Sequence, residues 1–444
     1  MAGPHLLVGF GVTNRAVCRA LRARGVDVVA TDDRPSDETA ALAESLGIDL
    51  VVSPDEATLR RLLESAARVV PTPGLPDRHL AIRLVREVGA EMVSEFDLAA
   101  AWDDRPVVAV TGTDGKTTVT TMVAEMLAAS GIAAALAGNN DTPLVEAIDD
   151  PGPQLFVVEA SSFRIGHSRR FAPQVATWLN FAPDHLDVHA DLAAYEAAKA
   201  AIFRFQAPED VAITNADDPV VASHTGGGPA RPLTFGRDAG QYRERAGRLL
   251  ADTDEQIARV AELRRQGLHD VDNALAAAAT ARSAGASLEA IHEVLCRFEG
   301  LPHRVQPVAE FDGVSYVDDS KATVPHATLA AVGGFDRVVL IAGGRNKGLD
   351  LGELARTADR LVGVVAIGEA ADDIARAFGS SSVPVRTAAS MDEAVRTAAE
   401  LAVPGSTVLL SPACASHDWY ANYAERGDDF ARAVHALQAG APNP

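Results

Sequence analysis

Short apolar runs alternate with stretches of helical periodicity from the first residues onward. Residues 6–10 form one apolar run, residues 15–24 have a helical pattern that stops at a glycine, and residues 26–30 form a second run. Uninterrupted apolar runs of about four to eight residues between helices are typical of strands buried in a parallel sheet. The pattern therefore predicts a βαβ unit, and it continues through a helix at 38–46, a strand at 49–52, a helix at 57–67 and a strand at 68–71.

Two polar segments that contain proline divide this alternation into three parts. The first is Trp-Asp-Asp-Arg-Pro at 102–106, which precedes a new apolar strand at 107–110, and the second is Glu-Gly-Leu-Pro at 299–302. Further strands are predicted at 155–158, 175–178, 211–214, 314–318, 337–341, 363–367 and 407–410, and helices at 272–283, 288–298 and 391–401. One hydrophobic core seldom exceeds about 250–300 residues. We therefore predict an α/β protein with three domains, at 1–104, 105–300 and 301–444.

Composition and charge exclude several classes of protein. Hydrophobic residues make up 47% of the 444 residues and charged residues 23%, as in an ordinary folded protein. The net charge of −21 excludes a general basic surface for nucleic acid or anionic lipid, so local cations and backbone N–H groups must hold any acidic ligand. Cys18, Cys296 and Cys414 lie too far apart for a disulfide framework or a CxxC metal site. Without a signal peptide or a long apolar segment, the sequence predicts a cytoplasmic protein that contacts no membrane.

The clearest chemical motif follows the strand at 107–110 and reads Thr111-Gly-Thr-Asp-Gly-Lys-Thr-Thr118. Its two glycines let backbone N–H groups surround phosphate oxygens, Lys116 can reach the outer phosphates, and the Thr117 hydroxyl can ligate Mg²⁺. Val110 stands where the GxxxxGK[ST] motif has its first glycine, so only a shorter Gly-x-x-Gly-Lys-Thr remains. The alternative is a glycine turn with a surface lysine, but a strand and a helix beginning near Thr118 favour a phosphate loop.

Candidate metal ligands follow two other predicted strands. Glu159 lies at the carboxyl end of the strand at 155–158, and His185 lies just beyond the strand at 175–178. Ligands gather at the carboxyl ends of strands in open α/β sheets, and Mg²⁺ prefers oxygen ligands. Each residue alone is more often solvated or hydrogen-bonded within the protein. Their common position at the sheet makes them candidates for a metal bound with a nucleoside triphosphate.

Other strand-end loops are also rich in polar groups. The first turn, Gly9-Phe-Gly-Val-Thr-Asn14, is similar to a dinucleotide fingerprint and is followed by Asp32, but Asn14 replaces the third glycine. This turn indicates an anion or nucleotide site without assigning NAD. The loops at 318–323, 343–347 and 411–418 suit anionic or amino-acid ligands, with ordinary turn chemistry as the alternative.

In their order along the chain, these motifs resemble the Mur ligases of peptidoglycan synthesis, and most of all the D-glutamate-adding members. The matching segments are 111–118, Glu159-Ala-Ser-Ser-Phe163, 180–185, Tyr195-Glu-Ala-Ala-Lys199, 267–273, Leu301-Pro-His-Arg304, Asp319-Ser-Lys-Ala-Thr323 and Ser411-Pro-Ala-Cys-Ala-Ser416. The resemblance spans nearly the whole chain. It implies a Rossmann-like first domain for a uridine diphosphate substrate, a central ATP-binding parallel sheet of the P-loop type, and a Rossmann-like last domain for the amino acid.

The implied reaction is the ATP-dependent addition of D-glutamate to UDP-N-acetylmuramoyl-L-alanine. ATP phosphorylates the substrate carboxylate, and the amine then attacks the acyl phosphate to give the amide and ADP. The resemblance further implies ATP and two Mg²⁺ ions as cofactors, small-molecule substrates, a monomeric enzyme and no nucleic-acid partner.

The resemblance also assigns a role to each matching residue. Lys116, His185 and Lys199 are the expected catalytic residues, and Thr117, Glu159, His185 and a carbamylated Lys199 the expected metal ligands. The expected nucleotide contacts are Gly112, Thr113, Asp114, Gly115, Lys116, Thr117, Thr118, Asn273, Arg304 and Asp319. The expected substrate contacts are Thr13, Asp32, Arg34, Thr72, Gly74, Asn139, Ser161, Lys321, Thr323, Lys347, Ser416 and Tyr423.

Several positions depart from the family pattern and leave alternatives open. Asp114 replaces the usual Asn of the phosphate loop, Asp141 lies in a segment that loses the second glycine of a Gly-Asn-Ile-Gly motif, and the loop at 12–15 and the pair His417 and Tyr423 also differ. A divergent ligase for L-glutamate or another acceptor, a folylpolyglutamate-type or other Mur ligase, and a non-catalytic nucleotide-binding relative remain alternatives. The short loop around Ser416 and the lack of a long extension favour the D-glutamate enzyme.

Overall fold

The computed structural model describes residues 3–139, 142–186, 188–346 and 348–440, and over these ranges the chain forms two compact units. The first unit contains the residues up to 266 together with 270–298, and the second contains 267–269 together with the residues from 299 onward. Two β-sheets lie in the first unit and one lies in the second. The division into three domains stays a prediction, and its first two ranges lie almost entirely in the first unit.

The first sheet has four parallel strands in the order β3-β2-β1-β4. Its elements are β1 (His5–Val8), α1 (Val12–Ala23), β2 (Val28–Asp32), α2 (Asp37–Ser45), β3 (Asp49–Val52), α3 (Glu56–Ser65), β4 (Arg68–Pro71), α4 (Leu80–Val88) and α5 (Glu95–Trp102). β3 and β4 have the predicted bounds. β1 ends two residues before its predicted end, because Gly9 begins a turn with a φ of 80°.

The second sheet has nine strands in the order β13-β12-β11-β10-β9-β8-β5-β7-β6. Its elements are β5 (Val107–Thr111), α6 (Lys116–Ala129), β6 (Ala134–Gly138), α7 (Leu144–Ala147), β7 (Leu155–Glu159), α8 (Ser162–Ile165), β8 (Val175–Trp178), α9 (Leu192–Ala200), β9 (Val211–Asn215), α10 (Pro219–Ser223), β10 (Arg231–Gly236), β11 (Tyr242–Arg245), β12 (Arg248–Leu250), β13 (Gln256–Arg259), α11 (Leu268–Ser283) and α12 (Leu288–Arg297). The β11–β12 and β12–β13 pairs are antiparallel and the other pairs are parallel. Since β5 lies between β7 and β8, the loops that follow these three strands are neighbours.

The third sheet has six strands in the order β14-β15-β19-β16-β17-β18, and only the β14–β15 pair is antiparallel. Its elements are β14 (Gln306–Phe311), β15 (Val314–Asp318), α13 (Pro325–Gly333), β16 (Val338–Gly343), β17 (Leu361–Ile367), α14 (Ala371–Ala377), β18 (Val385–Ala388), α15 (Met391–Leu401), β19 (Thr407–Ala413) and α16 (Tyr423–Gly440). β15 and β19 are adjacent, so the polar loops that follow them also lie side by side.

One continuous hydrophobic cluster holds the two sheets of the first unit together. It includes Val17 of α1 and Phe96 of α5 together with Ala109 of β5 and Phe156 of β7, all of them buried. The α/β class predicted from the sequence is confirmed. Within the described ranges, no helix combines the length and apolar character needed to cross a membrane.

Candidate functional site

The phosphate-loop motif lies between β5 and the first turn of α6. Gly112 and Gly115 have φ values of 159° and 82°. A Cβ atom on Gly115 would lie 2.5 Å from Oδ1 of Asn273, which places this predicted nucleotide residue against the loop. The helix begins at Lys116, two residues before the predicted start, so Lys116 and Thr117 lie in its first turn. The N–H groups of a first turn have no intrahelical acceptor and favour an anion.

Asn180 fixes the shape of this loop, a role that the sequence did not reveal. Its side-chain Oδ1 accepts hydrogen bonds from the backbone N–H groups of Thr113 and Asp114, both at 2.9 Å. Its Nδ2 donates to the carbonyl oxygen of Asp114 at 3.2 Å. The backbone oxygen of Asn180 in turn accepts a hydrogen bond from the Trp178 indole at 3.1 Å. One amide side chain therefore anchors two consecutive residues of the loop to the end of β8.

Two lysine side chains meet at one carbonyl of the loop. Lys116 Nζ donates to the carbonyl oxygens of Gly112 at 2.9 Å and Thr113 at 2.8 Å. Lys199, on α9, donates to the same Gly112 oxygen at 2.6 Å, although Lys199 and Gly112 are 87 positions apart in the sequence. Lys199 is 2% exposed and lies 4.6 Å from the centroid of the Tyr195 ring. The structure thus brings the predicted catalytic lysines together.

Burial changes the protonation of Lys199. Loss of hydration, followed by the positive charge of Lys116, holds the pKa of the Lys199 amine well below its ordinary value. A deprotonated amine is a nucleophile, whereas an ammonium group is not. The surroundings of Lys199 therefore favour the neutral amine, which can react as a nucleophile, over an ammonium group held in an ion pair.

Glu159, the last residue of β7, lies in a cluster of polar oxygen and nitrogen atoms and is only 1% exposed. The Thr117 hydroxyl donates to its Oε2 at 2.7 Å, and Asn139 Nδ2 donates to its Oε1 at 3.2 Å. Glu159 thus connects the loop after β5 to the loop after β6. A buried carboxylate beside a hydroxyl and an amide fits the oxygen-ligand preference of Mg²⁺. The structure thus brings together two residues predicted as metal ligands, Thr117 and Glu159, and one predicted as a substrate contact, Asn139.

His185 has a left-handed backbone with a φ of 55°, which is uncommon outside glycine. Its backbone N–H donates to Oδ1 of the buried Asp184 at 2.7 Å, and its Nε2 lies 3.2 Å from Oδ2 of the same carboxylate. The ring packs edge-on against Phe163, with 4.5 Å between the centroids. Asp184 was not singled out in the sequence, although its place immediately before a candidate histidine was a usable signal.

The turn after β1 explains why Asn14 stands at the third glycine position. The buried Asn14 side chain donates to the carbonyl oxygens of Gly9 at 2.7 Å and Val70 at 3.1 Å, and thereby ties the turn to β4. A Cβ atom on Gly9 would lie 2.6 Å from Cγ2 of Thr72. The turn therefore depends on Asn14 for its shape, and glycine at this position would lose both hydrogen bonds.

The remaining predicted substrate residues of the first unit include Thr13 in α1, Asp32 at the end of β2 and residues of the following loops. Asp32 accepts hydrogen bonds from the backbone N–H groups of Phe10 at 2.8 Å and Arg34 at 2.9 Å. Gly74 has a φ of 80°. Thr13 accepts a hydrogen bond from Arg164 at 2.9 Å. Ser161 is buried, and its hydroxyl has no hydrogen-bond partner among the described residues.

Arg164 and Glu95 form a buried ion pair in the first unit. Neither residue was singled out in the sequence. Desolvation raises the pKa of Glu95, and the positive charge of Arg164 opposes that rise. The pair joins α5 to α8, and its arginine also binds the Thr13 hydroxyl. Removing one member would leave an uncompensated charge in the core.

In the second unit, Asp319 follows β15 and accepts a hydrogen bond from the Ser411 hydroxyl at 2.7 Å and from the backbone N–H of Val305, next to Arg304, at 3.2 Å. Lys321 Nζ lies 3.9 Å from the centroid of the Tyr423 ring. Ser416 is buried and Thr323 is half-buried. Lys347 and Asp141 lie outside the described residues.

Arg426 is a residue of the second unit that sequence reasoning missed. It lies on α16 with 1% exposure, and its guanidinium donates to Oγ and the carbonyl oxygen of Ser320 at 2.9 and 2.8 Å and to the carbonyl oxygen of Cys414 at 3.1 Å. These contacts fix the loops after β15 and β19. The Ser320 hydroxyl also donates to the backbone oxygen of Tyr423 at 2.8 Å.

The buried carboxyl group of Asp319 should make the stability of the folded protein depend on pH. Desolvation raises its pKa to about 7, although the hydrogen bond from Ser411 and the charge of Arg304 oppose the rise. Between pH about 4 and about 7 the folded protein therefore keeps a proton that the unfolded chain releases, and stability falls as pH increases. In urea unfolding of Asp319→Asn across this range, we expect a flatter decline than in the wild type, with a residual slope because burial also raises the pKa of Asp318.

The matched control is Asp336→Asn, because the Asp336 side chain is fully exposed and its charge is solvated in both states. This variant should keep the wild-type pH slope. An Asp319→Asn profile that parallels the wild type would show that Asp319 is already ionised at low pH in the folded protein.

Sequence comparison identifies relatives over nearly the entire chain. Residues 110–281 match the Mur ligase middle domain, and residues 303–414 match the Mur ligase, glutamate ligase domain. The UDP-N-acetylmuramoylalanine–D-glutamate ligase of Frankia casuarinae is 42% identical over 456 residues, covering 98% of this chain and 94% of the relative. The ligase of the same name from Symbiobacterium thermophilum is 40% identical over 463 residues, covering 98% of this chain and all of the relative.

Solved structures share the fold at lower identity. The UDP-N-acetylmuramate–alanine ligase MurC of Thermotoga maritima is similar with a TM-score of 0.59 and 20% identity, covering 99% of this chain and 100% of that protein. The MurF ligase of Thermotoga maritima, solved in complex with ADP, gives a TM-score of 0.59 and 17% identity over 98% and 96% of the two chains. The solved structures show a common fold, whereas the relatives at 40% and 42% identity over 98% of the chain show that this chain belongs to the Mur ligase family.

Proposed function

We propose that this protein is an ATP-dependent, ADP-forming ligase that joins D-glutamate to the alanine carboxylate of UDP-N-acetylmuramoyl-L-alanine. The observation that carries the proposal is the meeting of Lys116, Lys199 and the Thr117–Glu159 pair at one phosphate loop. Two relatives that carry the name of this ligase are 42% and 40% identical to nearly the whole chain. We place the reaction in the cytoplasm, where ATP and nucleotide-linked precursors are available.

The reaction needs an activated acyl group, because a carboxylate is a poor electrophile. A carboxylate oxygen attacks the γ-phosphorus of ATP, the bond between that phosphorus and the β–γ bridging oxygen breaks, and ADP leaves. The D-glutamate amine, once deprotonated, attacks the carbonyl carbon of the acyl phosphate. Collapse of the adduct breaks the carbon–oxygen bond to phosphate, so inorganic phosphate departs with one oxygen of the original carboxylate. The amine loses its remaining extra proton to give the neutral amide.

The phosphate loop supplies the positive electrostatic potential for the first step. Charge develops on the transferred phosphoryl group and on the departing ADP, and fixed N–H groups and a lysine stabilise that charge without reorganising. The first turn of α6 presents its N–H groups, and Lys116 lies within reach of the loop interior through its contacts with Gly112 and Thr113. Asp114 adds a negative charge to the loop, and its backbone is held by Asn180.

The Thr117 hydroxyl and the Glu159 carboxylate fit a Mg²⁺ ion, which when bound would neutralise phosphate charge. We propose that His185 and Lys199 contribute to a second such site. The deprotonated Lys199 amine can form a bond to the carbon of CO₂ and release a proton, which converts a neutral side chain into an anionic carbamate with two oxygen donors. The low pKa of Lys199 supports this step, because carbamate forms from the free amine.

The proposal is tested by measuring ADP release from ATP and UDP-N-acetylmuramoyl-L-alanine with D-glutamate, L-glutamate or no amino acid, together with the mass of the product. We expect stimulation by D-glutamate alone and a product that gains one glutamyl residue. Stimulation by L-glutamate would instead support a divergent ligase, and the departures at Asn14, Asp114 and His417 would then become candidates for its specificity. The absence of ADP release with every acceptor would favour a non-catalytic nucleotide-binding protein.

Asn180→Ala is expected to raise the KM for ATP about tenfold, because it removes the side-chain acceptor of the Asp114 N–H, a loss that costs about 1–3 kcal/mol, whereas the Thr113 N–H keeps the backbone oxygen of residue 180 at 3.2 Å. The change in thermal stability should be modest, since the loop remains partly exposed. The matched control is Gln241→Ala, which removes a side-chain amide that accepts a hydrogen bond from the N–H of Thr234 in β10, two strands away from β8 in the same sheet. Equal KM values for both variants would exclude a role for Asn180 in shaping the loop.

A further inference from the structure

Three side chains of different metal-ligating types meet on the surface of the first unit, at the edge of the sheet that begins with β13. His292 and Cys296 are one helical turn apart on α12 and therefore lie on the same face. Glu262 ends the short 3₁₀ helix Val260–Glu262 that follows β13. One ligand atom from each residue lies within 4.8 Å of the other two. Neither the phosphate loop nor any predicted substrate contact includes these residues.

A hydrogen bond to the backbone sets the tautomer of the histidine that a metal ligand needs. Its Nδ1 lies 2.8 Å from the carbonyl oxygen of Ile257, and a carbonyl only accepts, so Nδ1 carries the proton. The lone pair is then on Nε2, and Cys296 Sγ lies beside the ring, 3.8 Å from Nε2 and 3.9 Å from Nδ1. An imidazole N–H that donates to a backbone carbonyl while the other nitrogen binds metal is a recurring feature of zinc sites. Glu262 is anchored as well, because its Oε2 accepts a hydrogen bond from the Arg259 N–H at 2.7 Å.

The distances distinguish a metal site from a simple hydrogen bond. Zinc binds sulfur at about 2.3 Å and imidazole nitrogen at about 2.1 Å, so tetrahedral geometry separates the two ligand atoms by about 3.6 Å. The observed separation of 3.8 Å between Sγ and Nε2 is close to that value, and rotation of the side chains is needed to bring Sγ, which also lies 3.9 Å from Nδ1, toward the Nε2 lone pair. A weak S–H···N hydrogen bond would account for this pair, but it would not account for the carboxylate of Glu262 within the same 4.8 Å.

We propose that Glu262, His292 and Cys296 bind a zinc-class divalent metal ion. Thiolate and imidazole select zinc-like metals over Mg²⁺, whereas the Thr117–Glu159 pair offers only oxygen. Binding forms a metal–sulfur bond and releases the thiol proton to solvent. Three protein ligands leave the fourth tetrahedral position to water, and the bound ion links α12 to the segment that follows β13.

Cobalt(II) titration of the full-length protein in excess Mg²⁺ tests this site. Co²⁺ reports sulfur ligation through a near-ultraviolet thiolate-to-metal charge-transfer band, and Mg²⁺ occupies oxygen sites without absorbing. We expect one equivalent of Co²⁺ to produce the band, Cys296→Ser to abolish it, and His292→Ala to weaken Co²⁺ binding at least about tenfold. Zn²⁺ should displace Co²⁺ and raise the melting temperature of the wild type but not of Cys296→Ser.

The control variant is Cys18→Ala, which removes a buried cysteine of α1 and should leave the band unchanged. Circular dichroism confirms that each variant is folded, and the exposed position of His292 makes its alanine variant a second test if a cysteine variant is unstable. The proposal is overturned if folded wild-type protein gives no charge-transfer band, or if the band persists in Cys296→Ser. Neither outcome bears on ligase turnover, so the result is independent of the proposed function.

Discussion

Replacement of Lys116 by methionine is expected to lower kcat for ADP release by about 10²–10³-fold, the cost of losing one preorganised charge-stabilising group. Methionine keeps much of the aliphatic side chain but removes the ammonium group that the structure places against the Gly112 and Thr113 carbonyls. We expect the loss in kcat, because the charge that Lys116 stabilises is greatest in the transition state of phosphoryl transfer. Initial rates at saturating ATP measure it.

Lys116→Arg is the comparison variant, because it retains the charge but places a planar guanidinium in a space shaped for an ammonium group. We expect its kcat to lie between those of the wild type and Lys116→Met. Thermal unfolding of all three proteins separates loss of chemistry from loss of fold. A Lys116→Met enzyme that stays within a few-fold of the wild-type kcat would remove Lys116 from the phosphoryl-transfer step.

Lys199→Ala is expected to cost at least about 10²-fold in kcat, a loss comparable to that of a charge-stabilising group at the reacting phosphate. Burial and Lys116 hold the pKa of the Lys199 amine well below its ordinary value, so the amine is free to react with CO₂. In ¹³C-bicarbonate, nuclear magnetic resonance should show a carbamate signal from the wild type that is absent from Lys199→Ala. Removing CO₂ from the buffer should lower the wild-type rate, and bicarbonate should restore it.

Lys199→Arg provides the matched control, since it keeps a long basic side chain that does not form a carbamate. We expect it to be as inactive as Lys199→Ala and insensitive to bicarbonate. Full activity of Lys199→Arg would assign Lys199 a purely electrostatic role at the Gly112 carbonyl. Retained wild-type activity in CO₂-free buffer, without a carbamate signal, would exclude carbamylation as a requirement.

Residues that form strand-end motifs could be predicted from the sequence, because the chemistry of a phosphate loop depends on local order. The sequence assigned Thr117 and Glu159 to one metal site, and their side chains meet because β5 and β7 are adjacent parallel strands. A further signal was available in the composition. Only four of the 40 basic residues are lysines, at 116, 199, 321 and 347, and each lies in a family motif. Because arginine supplies the other 36 basic side chains, the few lysines were the first candidates for chemistry that needs an amine.

Other features could not be predicted, because they depend on contacts between distant parts of the chain. Asn180 and Arg426 act through hydrogen bonds to the backbone of Asp114 and Ser320, which are 66 and 106 positions away in sequence, and no local pattern marks such a partner. The hydrophobic pattern also does not predict β11–β13, because these short strands at and near the edge of the sheet carry exposed charged residues such as Arg245 and Arg248. Edge strands keep charged side chains that discourage pairing with other proteins.

The central claim is that ATP activates the substrate carboxylate as an acyl phosphate, and the fate of the carboxylate oxygen tests it most directly. UDP-N-acetylmuramoyl-L-alanine with ¹⁸O in its alanine carboxylate is incubated with ATP, D-glutamate and the enzyme, and the phosphate is analysed by mass spectrometry. We predict one ¹⁸O atom in each phosphate released per amide bond formed, because the bond from carbon to the phosphorylated oxygen breaks when the amine displaces phosphate. Phosphate free of ¹⁸O, with ADP still produced, would contradict the account, because ATP would then be hydrolysed without passing through the carboxylate.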